Sequence, residues 1–362
     1  MALSVGIAGL PNVGKSTLLN ALSDAHAEAS NYPFCTIERN VGVAVVPDPH
    51  LEELEKLLSP TETVPTTIRF VDIAGLVEGA SRGEGLGNKF LGHIREVDAL
   101  LHVVRCFEDE NVAHATGAPD PVGDVAIVET ELLLADLETA EKAVAGWKKR
   151  SLAGKGIGKD EIALLSRVVE GLAEGVAVRD QSLTEDERRA FGETRFLTNK
   201  PCLYLANTGE DDPAGGGPLV AALKETKGDA NVLPVSVQIE EEISELPAED
   251  QAEFLDGLGL EETALDLVVT ACYRLLDLVT FYTVANDKLS AWQLRRGGTA
   301  SEAAGKIHSD MEKGFIRAEV MALDDLLRLG SPQALHDQGL VRTVGRDYVI
   351  EDRDVLHIRF KV

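Results

Sequence analysis

The chain is poor in cysteine and has no long apolar run. Its four cysteines, Cys35, Cys106, Cys202 and Cys272, lie far apart and form no C-x-x-C pair. This spacing argues against a structural zinc site or a disulfide framework, and it favours a reducing compartment. No apolar run approaches the roughly 18 residues that a membrane span needs, and the N-terminal segment has neither a basic stretch nor a cleavage site. We therefore expect a cytoplasmic protein with no membrane partner.

Basic side chains are also in short supply, because 35 Lys and Arg face 61 Asp and Glu, a formal net charge of −26. Residues 278–362 hold 12 basic and 12 acidic side chains, so the whole excess of acid lies in residues 1–277. This balance excludes a protein that coats nucleic acid, since phosphate binding depends on Lys and Arg.

One local basic cluster interrupts the acidic body, and no acidic residue occurs between positions 142 and 159. Its members are Lys142, Lys148, Lys149, Arg150, Lys155 and Lys159. The cluster is typical of a local docking surface for a polyanion, and an ordinary solvated turn is the alternative.

Short apolar runs alternate with helical patterns along most of the chain. The predicted strands cover 3–8, 66–73, 99–105, 201–206 and 231–237. This alternation predicts an α/β fold with a doubly wound, mainly parallel sheet. At 362 residues the chain is long enough for two or three domains.

Two heptad stripes interrupt the alternation. The first runs from Leu133 to Trp147 and the second from Ile162 to Val176, with the glycine-rich stretch 154–158 between them. They predict an inserted antiparallel helical hairpin, at whose tip the basic cluster lies.

The pattern changes again near residue 278. Two strands, a helix over 301–313 with Ser301 as its N-cap, and closing strands at 348–350 and 355–360 predict a β-grasp module. The chain then divides into a first part of a nucleotide-binding domain, a helical insertion, a second part of that domain and the β-grasp module, at 1–124, 125–196, 197–277 and 278–362.

A phosphate-binding loop follows the first predicted strand. Gly9-Leu-Pro-Asn-Val-Gly14-Lys15-Ser16 matches G-x-x-x-x-G-K-[ST] at every fixed position and precedes a predicted helix. In this context the loop's N–H groups surround the β-phosphate, Lys15 bridges the β and γ oxygens, and Ser16 is a ligand of Mg²⁺. The motif predicts a P-loop nucleoside triphosphatase that binds ATP or GTP with Mg²⁺.

Two further elements complete the predicted phosphate and metal site. Asp72-Ile-Ala-Gly75 fits D-x-x-G, in which Asp72 holds Mg²⁺ through water and the Gly75 amide senses the γ-phosphate. Thr36 lies in a turn-rich loop between the two motifs and is the candidate second Mg²⁺ ligand. Five glycines from Gly75 to Gly87 predict a mobile switch segment, with a static glycine-rich loop as the alternative.

The segment Asn207-Thr208-Gly209-Glu210 departs from N-K-x-D, the guanine-reading sequence of regulatory GTPases. The lysine is absent and the acid is one methylene longer, so the bidentate guanine contact is lost or misplaced. We therefore predict a preference for ATP, with Asn207 near the base, Glu210 turned away and Ser236 contacting the base edge.

The water-orienting glutamine of Ras-like proteins is replaced here by Leu76. Leucine cannot align water, so intrinsic turnover should be slow and another group must assist. His93 and His114 are the candidates.

Together these segments resemble the YchF/Obg-like ATPase family over essentially the whole chain. The segments that carry the resemblance are Gly9-Leu-Pro-Asn-Val-Gly-Lys-Ser-Thr, Asn31-Tyr-Pro-Phe-Cys-Thr-Ile-Glu, Phe70-Val-Asp-Ile-Ala-Gly-Leu-Val-Glu-Gly-Ala-Ser, Gly83-Glu-Gly-Leu-Gly-Asn-Lys-Phe-Leu, His102-Val-Val-Arg-Cys-Phe-Glu and Gly305-Lys-Ile-His-Ser-Asp-Met-Glu-Lys-Gly-Phe-Ile-Arg-Ala. The resemblance implies a G domain of the Obg type with a helical insertion and a C-terminal β-grasp module of the TGS type. It also implies preference for ATP over GTP and association with the ribosome, for which we expect the large subunit as partner and a monomeric chain.

The residues predicted to bind the nucleotide lie in the P-loop, for which the resemblance implies the same role, and in the base-side segment. They are Asn12, Val13, Gly14, Lys15, Ser16, Thr17, Asn207, Thr208, Glu210 and Ser236. The metal ligands are Ser16, Thr36 and Asp72, and the catalytic set is His114, Lys15 and Gly75. Asn12 is similar to the asparagine that lets some relatives use K⁺ as an additional cation.

Three other functions remain open on the sequence. One is a conventional GTPase, and another is a metabolic P-loop kinase, for which no lid with catalytic arginines is evident. The third is a nucleotide-sensing scaffold in a stress response, in which turnover is incidental.

Overall fold

The computed structural model describes residues 3–25, 40–73, 86–109, 112, 117–152, 158–191, 194–247, 250–251, 255 and 262–361. Contacts divide the chain into two compact units. The first holds the described parts of 1–25, 37–42 and 69–268, and the second holds 43–68 with the described part of 269–362. This grouping differs from the boundaries inferred above, which placed 43–68 entirely in the first part of the G domain.

The sheet that bears the P-loop has six strands in the order β2-β4-β1-β5-β6-β7. In chain order they are β1 (Ser4–Ala8), β2 (Val41–Val45), β4 (Thr67–Asp72), β5 (Ala99–Cys106), β6 (Cys202–Thr208) and β7 (Val232–Val235). Pairings of β1 with β4 and β5, of β5 with β6 and of β6 with β7 are all parallel. All eight residues of β5 are buried, as expected when helices cover both faces of a parallel sheet. The predicted doubly wound α/β architecture is confirmed.

The helices up to residue 244 are α1 (Lys15–Ala25), α2 (Pro49–Leu58), α3 (Leu86–Glu96), α4 (Pro121–Leu152), α5 (Lys159–Ala173), α6 (Glu185–Ala190), α7 (Pro218–Lys227) and α8 (Val237–Ser244). A further helix spans Ala264–Leu275.

Helix α4 packs against both the sheet and the second helix of the hairpin. Near its start Val125 packs with Val104 of β5 and Ala206 of β6. Farther along, Ala140 packs with Leu165 and Leu172 of α5. Both heptad stripes contribute to this second core, so the predicted helical hairpin is confirmed. Its first helix is continuous with the core of the nucleotide-binding unit.

Buried polar side chains fix the root of this hairpin. The Asp136 carboxylate of α4 accepts hydrogen bonds from the Leu197 and Thr198 amides at 2.8 and 2.7 Å and from the Thr198 hydroxyl at 2.7 Å. Nearby, Glu129 accepts from Tyr204 Oη at 2.5 Å and from Lys227 Nζ at 2.6 Å. Helix α4 is thereby tied to the segment that re-enters the sheet and to β6 and α7.

The second sheet has the strand order β11-β10-β12-β8-β9-β3. Its strands are β3 (Glu62–Val64), β8 (Leu278–Ala285), β9 (Lys288–Arg295), β10 (Phe315–Ala322), β11 (Arg342–Val344) and β12 (Asp354–Phe360). The first and last long strands, β8 and β12, pair in parallel, and β9 and β10 flank them antiparallel. A helix, Ala300–Ile307, packs on one face, so the β-grasp prediction is confirmed.

The sequence reading of this unit was wrong in several details. The N-cap is Thr299 and not Ser301, because Thr299 and Glu302 form a reciprocal capping box. The single helix predicted over 301–313 is two helices that meet at His308. Residues 348–350 form only an isolated bridge between Thr299 and Val349. Strands β3, β10 and β11 were not predicted.

No helix in the described part of the chain combines the length and the apolar character that crossing a membrane requires.

Candidate functional site

The P-loop joins the end of β1 to the start of α1, as the motif predicts. Gly9 has φ of +149°, and a Cβ there would collide with the Val103 carbonyl. Gly14 has φ of +98°, and a Cβ there would lie 2.5 Å from Asn207 Nδ2. Both positions therefore need glycine for conformation and for space. Asn12 is left-handed as well, with φ of 62°, a conformation that asparagine tolerates better than most residues.

Lys15 is the first residue of α1, and its side chain is buried at 8% exposure. Its ammonium donates to the Leu10 carbonyl at 2.7 Å, which folds the side chain along the loop. Burial lowers the pKa of Lys15 from 10.5, and the nearby Asp72 charge offsets part of that effect. The arrangement holds a cation within the curve of the loop, where a phosphate would meet it.

Ser16 and Asp72, the two candidate metal ligands from the two motifs, lie next to each other. Ser16 Oγ donates to Asp72 Oδ2 at 2.9 Å, although 56 positions separate them in sequence. The second carboxylate oxygen, Asp72 Oδ1, is buried without a hydrogen-bond partner among the described residues. A hydroxyl beside a carboxylate with a free oxygen is the hard oxygen donor set that Mg²⁺ prefers. These residues therefore fit a magnesium ion.

Asn207 connects the P-loop to the base-side segment. Its Nδ2 donates to the Val13 carbonyl at 2.9 Å, and its Oδ1 accepts from the Val237 amide at 3.1 Å. Asn207 is buried at 5% exposure. The side chain therefore acts first as a clamp on two backbone segments, a role that the sequence reading did not assign to it.

Two hydroxyls near this clamp are unpaired. Thr208 Oγ1 and Ser236 Oγ are buried and have no hydrogen-bond partner among the described residues. Native proteins rarely leave buried polar atoms unsatisfied, and such atoms often mark functional sites. Glu210 is exposed beyond the end of β6, and its orientation away from the base stays a prediction. Thr17 is half-buried in the first turn of α1.

Several predicted site residues lie outside the described ranges. They are Thr36, Gly75, Leu76 and His114, whose roles remain predictions. His93 is described and lies exposed on α3. Within the described ranges, no group of three or more His, Cys, Asp or Glu side chains could hold a metal ion.

Arg105 is a residue of the site that sequence reasoning missed. It lies in β5 in register with Asn207 of β6, and at 2% exposure it is the largest fully buried side chain among the described residues. The signal that could have indicated it was a charged side chain inside a mainly apolar strand, Ala99–Cys106, whose other polar residue is His102.

The comparisons with known proteins agree over the full length of the chain. Residues 4–133 match a family described as 50S ribosome-binding GTPase, and residues 278–361 match the C-terminal YchF GTPase family, described as a protein of unknown function.

Curated relatives named "Ribosome-binding ATPase YchF" are 46% identical over 366 residues in Bacillus subtilis and 48% identical over 364 residues in Haemophilus ducreyi. Both alignments cover 100% of this chain and 100% of the relative. The solved structure of the Schizosaccharomyces pombe YchF GTPase has a TM-score of 0.88 at 33% identity, covering 99% of this chain and 97% of that one. A GTP-binding protein from Pyrococcus horikoshii has a TM-score of 0.60 at 21% identity, covers 99% of this chain and 100% of its own, and shows the fold alone.

Proposed function

Because the chain belongs to the YchF family, we propose that it is a Mg²⁺-dependent ATPase that acts as a nucleotide-controlled switch on the ribosome. The observation that carries this proposal is the Ser16–Asp72 pair at 2.9 Å beside the buried ammonium of Lys15. A loop of N–H groups, one cation and a pair of oxygen ligands is the arrangement that binds a triphosphate with its metal.

Residues of this chain would hold the nucleotide at three points. Lys15 neutralises the phosphate oxygens, while Ser16 and Asp72 hold Mg²⁺, which supplies charge stabilisation to the phosphoryl group when bound. Thr36 is the proposed further metal ligand and the Gly75 amide the proposed γ-phosphate sensor. Asn12 is the proposed contact for K⁺.

Hydrolysis needs a group that orients water, and Leu76 cannot supply one. We assign this role to His114, following the resemblance of Asn111-Val-Ala-His114 to the corresponding segment of the family. His93 is a weaker candidate, because it lies exposed on α3.

The preference for ATP is supported by the base-side segment. Asn207 already donates to Val13 and accepts from Val237, Thr208 occupies the position of the usual lysine, and Glu210 is exposed. None of these supplies the buried carboxylate that reads the guanine N1–H and amino group. The curated bacterial relatives carry the name ATPase, whereas the S. pombe structure carries the name GTPase.

Titration calorimetry with ATP, GTP and their diphosphates, in Mg²⁺ with K⁺ or Na⁺, tests the nucleotide. We expect ATP to bind at least about tenfold more tightly than GTP, about 1.4 kcal/mol, because the guanine-specific carboxylate contact is missing. GTP binding tenfold tighter than ATP would replace this proposal with a conventional GTPase. Hydrolysis by His114→Ala, measured in parallel, tests the catalytic assignment.

The basic tip of the hairpin is the proposed ribosome contact. Lys148, Lys149 and Arg150 are all exposed at the end of α4, and the adjacent Leu152 is 91% exposed. Because the rest of the chain is strongly acidic, this tip is a place where a polyanion could approach without repulsion. We take ribosomal RNA of the large subunit as the partner and the β-grasp unit as a second contact.

Neutralising the tip should weaken ribosome binding. Changing Lys148, Lys149 and Arg150 to Gln should lower co-sedimentation with ribosomes roughly tenfold or more, and should flatten its salt dependence, because fewer counterions are released. The measurement is pelleting of the full chain with ATP or ADP at several salt concentrations.

The matched control changes three exposed basic residues elsewhere, Lys56, Lys89 and Arg274, to Gln. It alters the net charge equally and should leave pelleting unchanged. If both triple variants bind ribosomes equally well, or if ATP and ADP give the same ribosome binding, the docking proposal is wrong.

A further inference from the structure

Arg105 brings a permanent positive charge into the interior beside the nucleotide site. An arginine is rarely buried fully, because its charge must be compensated by hydrogen bonds. Here the guanidinium donates to three main-chain carbonyls: Nε to Phe107 at 3.1 Å, Nη1 to Val112 at 2.9 Å and Nη2 to Asp109 at 3.1 Å. All three acceptors follow β5 in the chain, so one side chain holds the carbonyls of Phe107, Asp109 and Val112.

The contacts depend on the shape of arginine. Its planar fork presents donors in several directions at once, and three separated carbonyls use that geometry. The guanidinium carbon also lies 4.5 Å from the centre of the Phe107 ring, a cation–π contact. Lysine, a point charge on a flexible stem, could not bond all three carbonyls from one position.

The segment that Arg105 holds lies beside the base-side residues. Arg105 pairs in register with Asn207, the clamp on the P-loop. A Cβ added to Gly209 would lie 3.5 Å from Phe107 Cβ, so the segments that follow β5 and β6 are in close approach. Ligands of parallel α/β sheets bind at this edge, outside the carboxyl ends of the strands.

We propose that Arg105 is a positioning residue, which holds Phe107 and the following carbonyls as one wall of the base side of the nucleotide site. This inference rests on the proposed nucleotide function and adds to it a residue that need not touch the nucleotide. The wall serves the base and ribose, whereas the triphosphate is held by the P-loop. Loss of Arg105 should therefore weaken binding of the base and ribose and leave binding of the triphosphate unchanged.

The test compares a nucleotide with a probe that has no base. Calorimetry with Mg-ATP and with Mg-tripolyphosphate should show that Arg105→Ala lowers ATP affinity roughly tenfold or more, in the range of one lost base-wall contact. The affinity for tripolyphosphate should stay within roughly twofold of the wild type. Arg105→Lys should behave like Arg105→Ala, and guanidinium below denaturing concentrations should restore ATP binding to Arg105→Ala.

Arg188 supplies the matched control. Its guanidinium also donates to several main-chain carbonyls, those of Val178, Arg179 and Gln181, but at the hairpin root. Arg188→Ala should leave binding of both probes unchanged, even where it lowers thermal stability as much as Arg105→Ala does.

Different results would contradict the positioning role of Arg105 and the proposed nucleotide function. Equal loss of ATP and tripolyphosphate in Arg105→Ala would make Arg105 a purely structural residue, and so would unchanged ATP binding in a folded Arg105→Lys variant. If Arg105→Ala does not fold, Arg105→Lys decides alone. A wild-type chain that binds neither ATP nor GTP would remove the proposed function, and this inference with it.

Discussion

Lys15→Ala should abolish nucleotide binding and leave the fold intact. The Lys15 ammonium is held by burial and by the Leu10 carbonyl within the P-loop, where a triphosphate would meet it. Charge-assisted hydrogen bonds to phosphate are among the strongest that proteins make. We expect ATP affinity to fall at least about a hundredfold, about 2.7 kcal/mol.

The same substitution should cost little stability. Burial lowers the pKa of Lys15, which means that the folded chain disfavours the charged ammonium relative to the unfolded chain. Removing the charge relieves that cost and offsets the packing lost with the methylene groups. We expect the free energy of unfolding to change by less than about 1 kcal/mol.

Lys200 offers a matched control for this experiment. Its ammonium also donates to main-chain carbonyls, those of Arg95 and Val97, but at the opposite end of β5 from the P-loop. Calorimetry on Lys15→Ala and Lys200→Ala, with circular dichroism on both, should show lost binding in the first alone. ATP and GTP binding that survives in Lys15→Ala would contradict the assignment of the loop as the phosphate site.

Local signals made much of the fold predictable, and they indicated the candidate residues for phosphate and metal. The P-loop needs only the order of residues from Gly9 to Ser16, because one strand, one turn and one helix N-terminus form it. Strands such as β5 are mainly apolar since both faces are covered, with His102 and Arg105 as the exceptions in β5. The heptad stripes of α4 and α5 indicate that these two helices pack against each other. The Thr299–Glu302 capping box was equally local and could have been found by its spacing.

Contacts between distant parts of the chain were not predictable. The clamp of Asn207 on Val13 joins residues 194 positions apart, and a motif reading placed Asn207 only near the base. Strand β3 has three residues and pairs with β9, so nothing in its own pattern indicated the second sheet. Asp72 and Ser16 were paired correctly only because each belongs to a motif whose partner is known.

Asp136 is the residue whose loss should most destabilise the nucleotide-binding unit. Its buried carboxylate, at 1% exposure, accepts three hydrogen bonds from Leu197 and Thr198. Asp136→Ala would leave two buried amides and a hydroxyl without this acceptor. Such losses cost about 3–5 kcal/mol in a buried network. Asp136→Asn keeps one acceptor oxygen and should cost less.

The destabilisation caused by Asp136→Ala can be measured within the hairpin and as a function of pH. Trp147 packs in the hairpin core, so its fluorescence during urea unfolding, in a Trp292→Phe background, reports this region. Burial raises the pKa of the Asp136 carboxyl above 3.8, although its three donors favour the carboxylate. The folded chain therefore favours the protonated carboxyl, so the free energy of unfolding is highest below pH 3.8 and declines as pH rises through the folded pKa. The difference in free energy of unfolding between wild type and Asp136→Ala should narrow as pH rises from 3.8 through the folded pKa. At higher pH it should remain constant.

Glu138→Ala is the control on the same helix. Glu138 is exposed and pairs with Lys142 at the surface, so its removal should have little measurable effect. If Asp136→Ala and Glu138→Ala unfold at the same urea concentration, the buried carboxylate does not hold the hairpin to the sheet. If only Asp136→Ala unfolds early, the hairpin is fixed at its root. Any movement that the nucleotide imposes on the tip would then have to begin in the sheet and in α4, because the root does not act as a hinge.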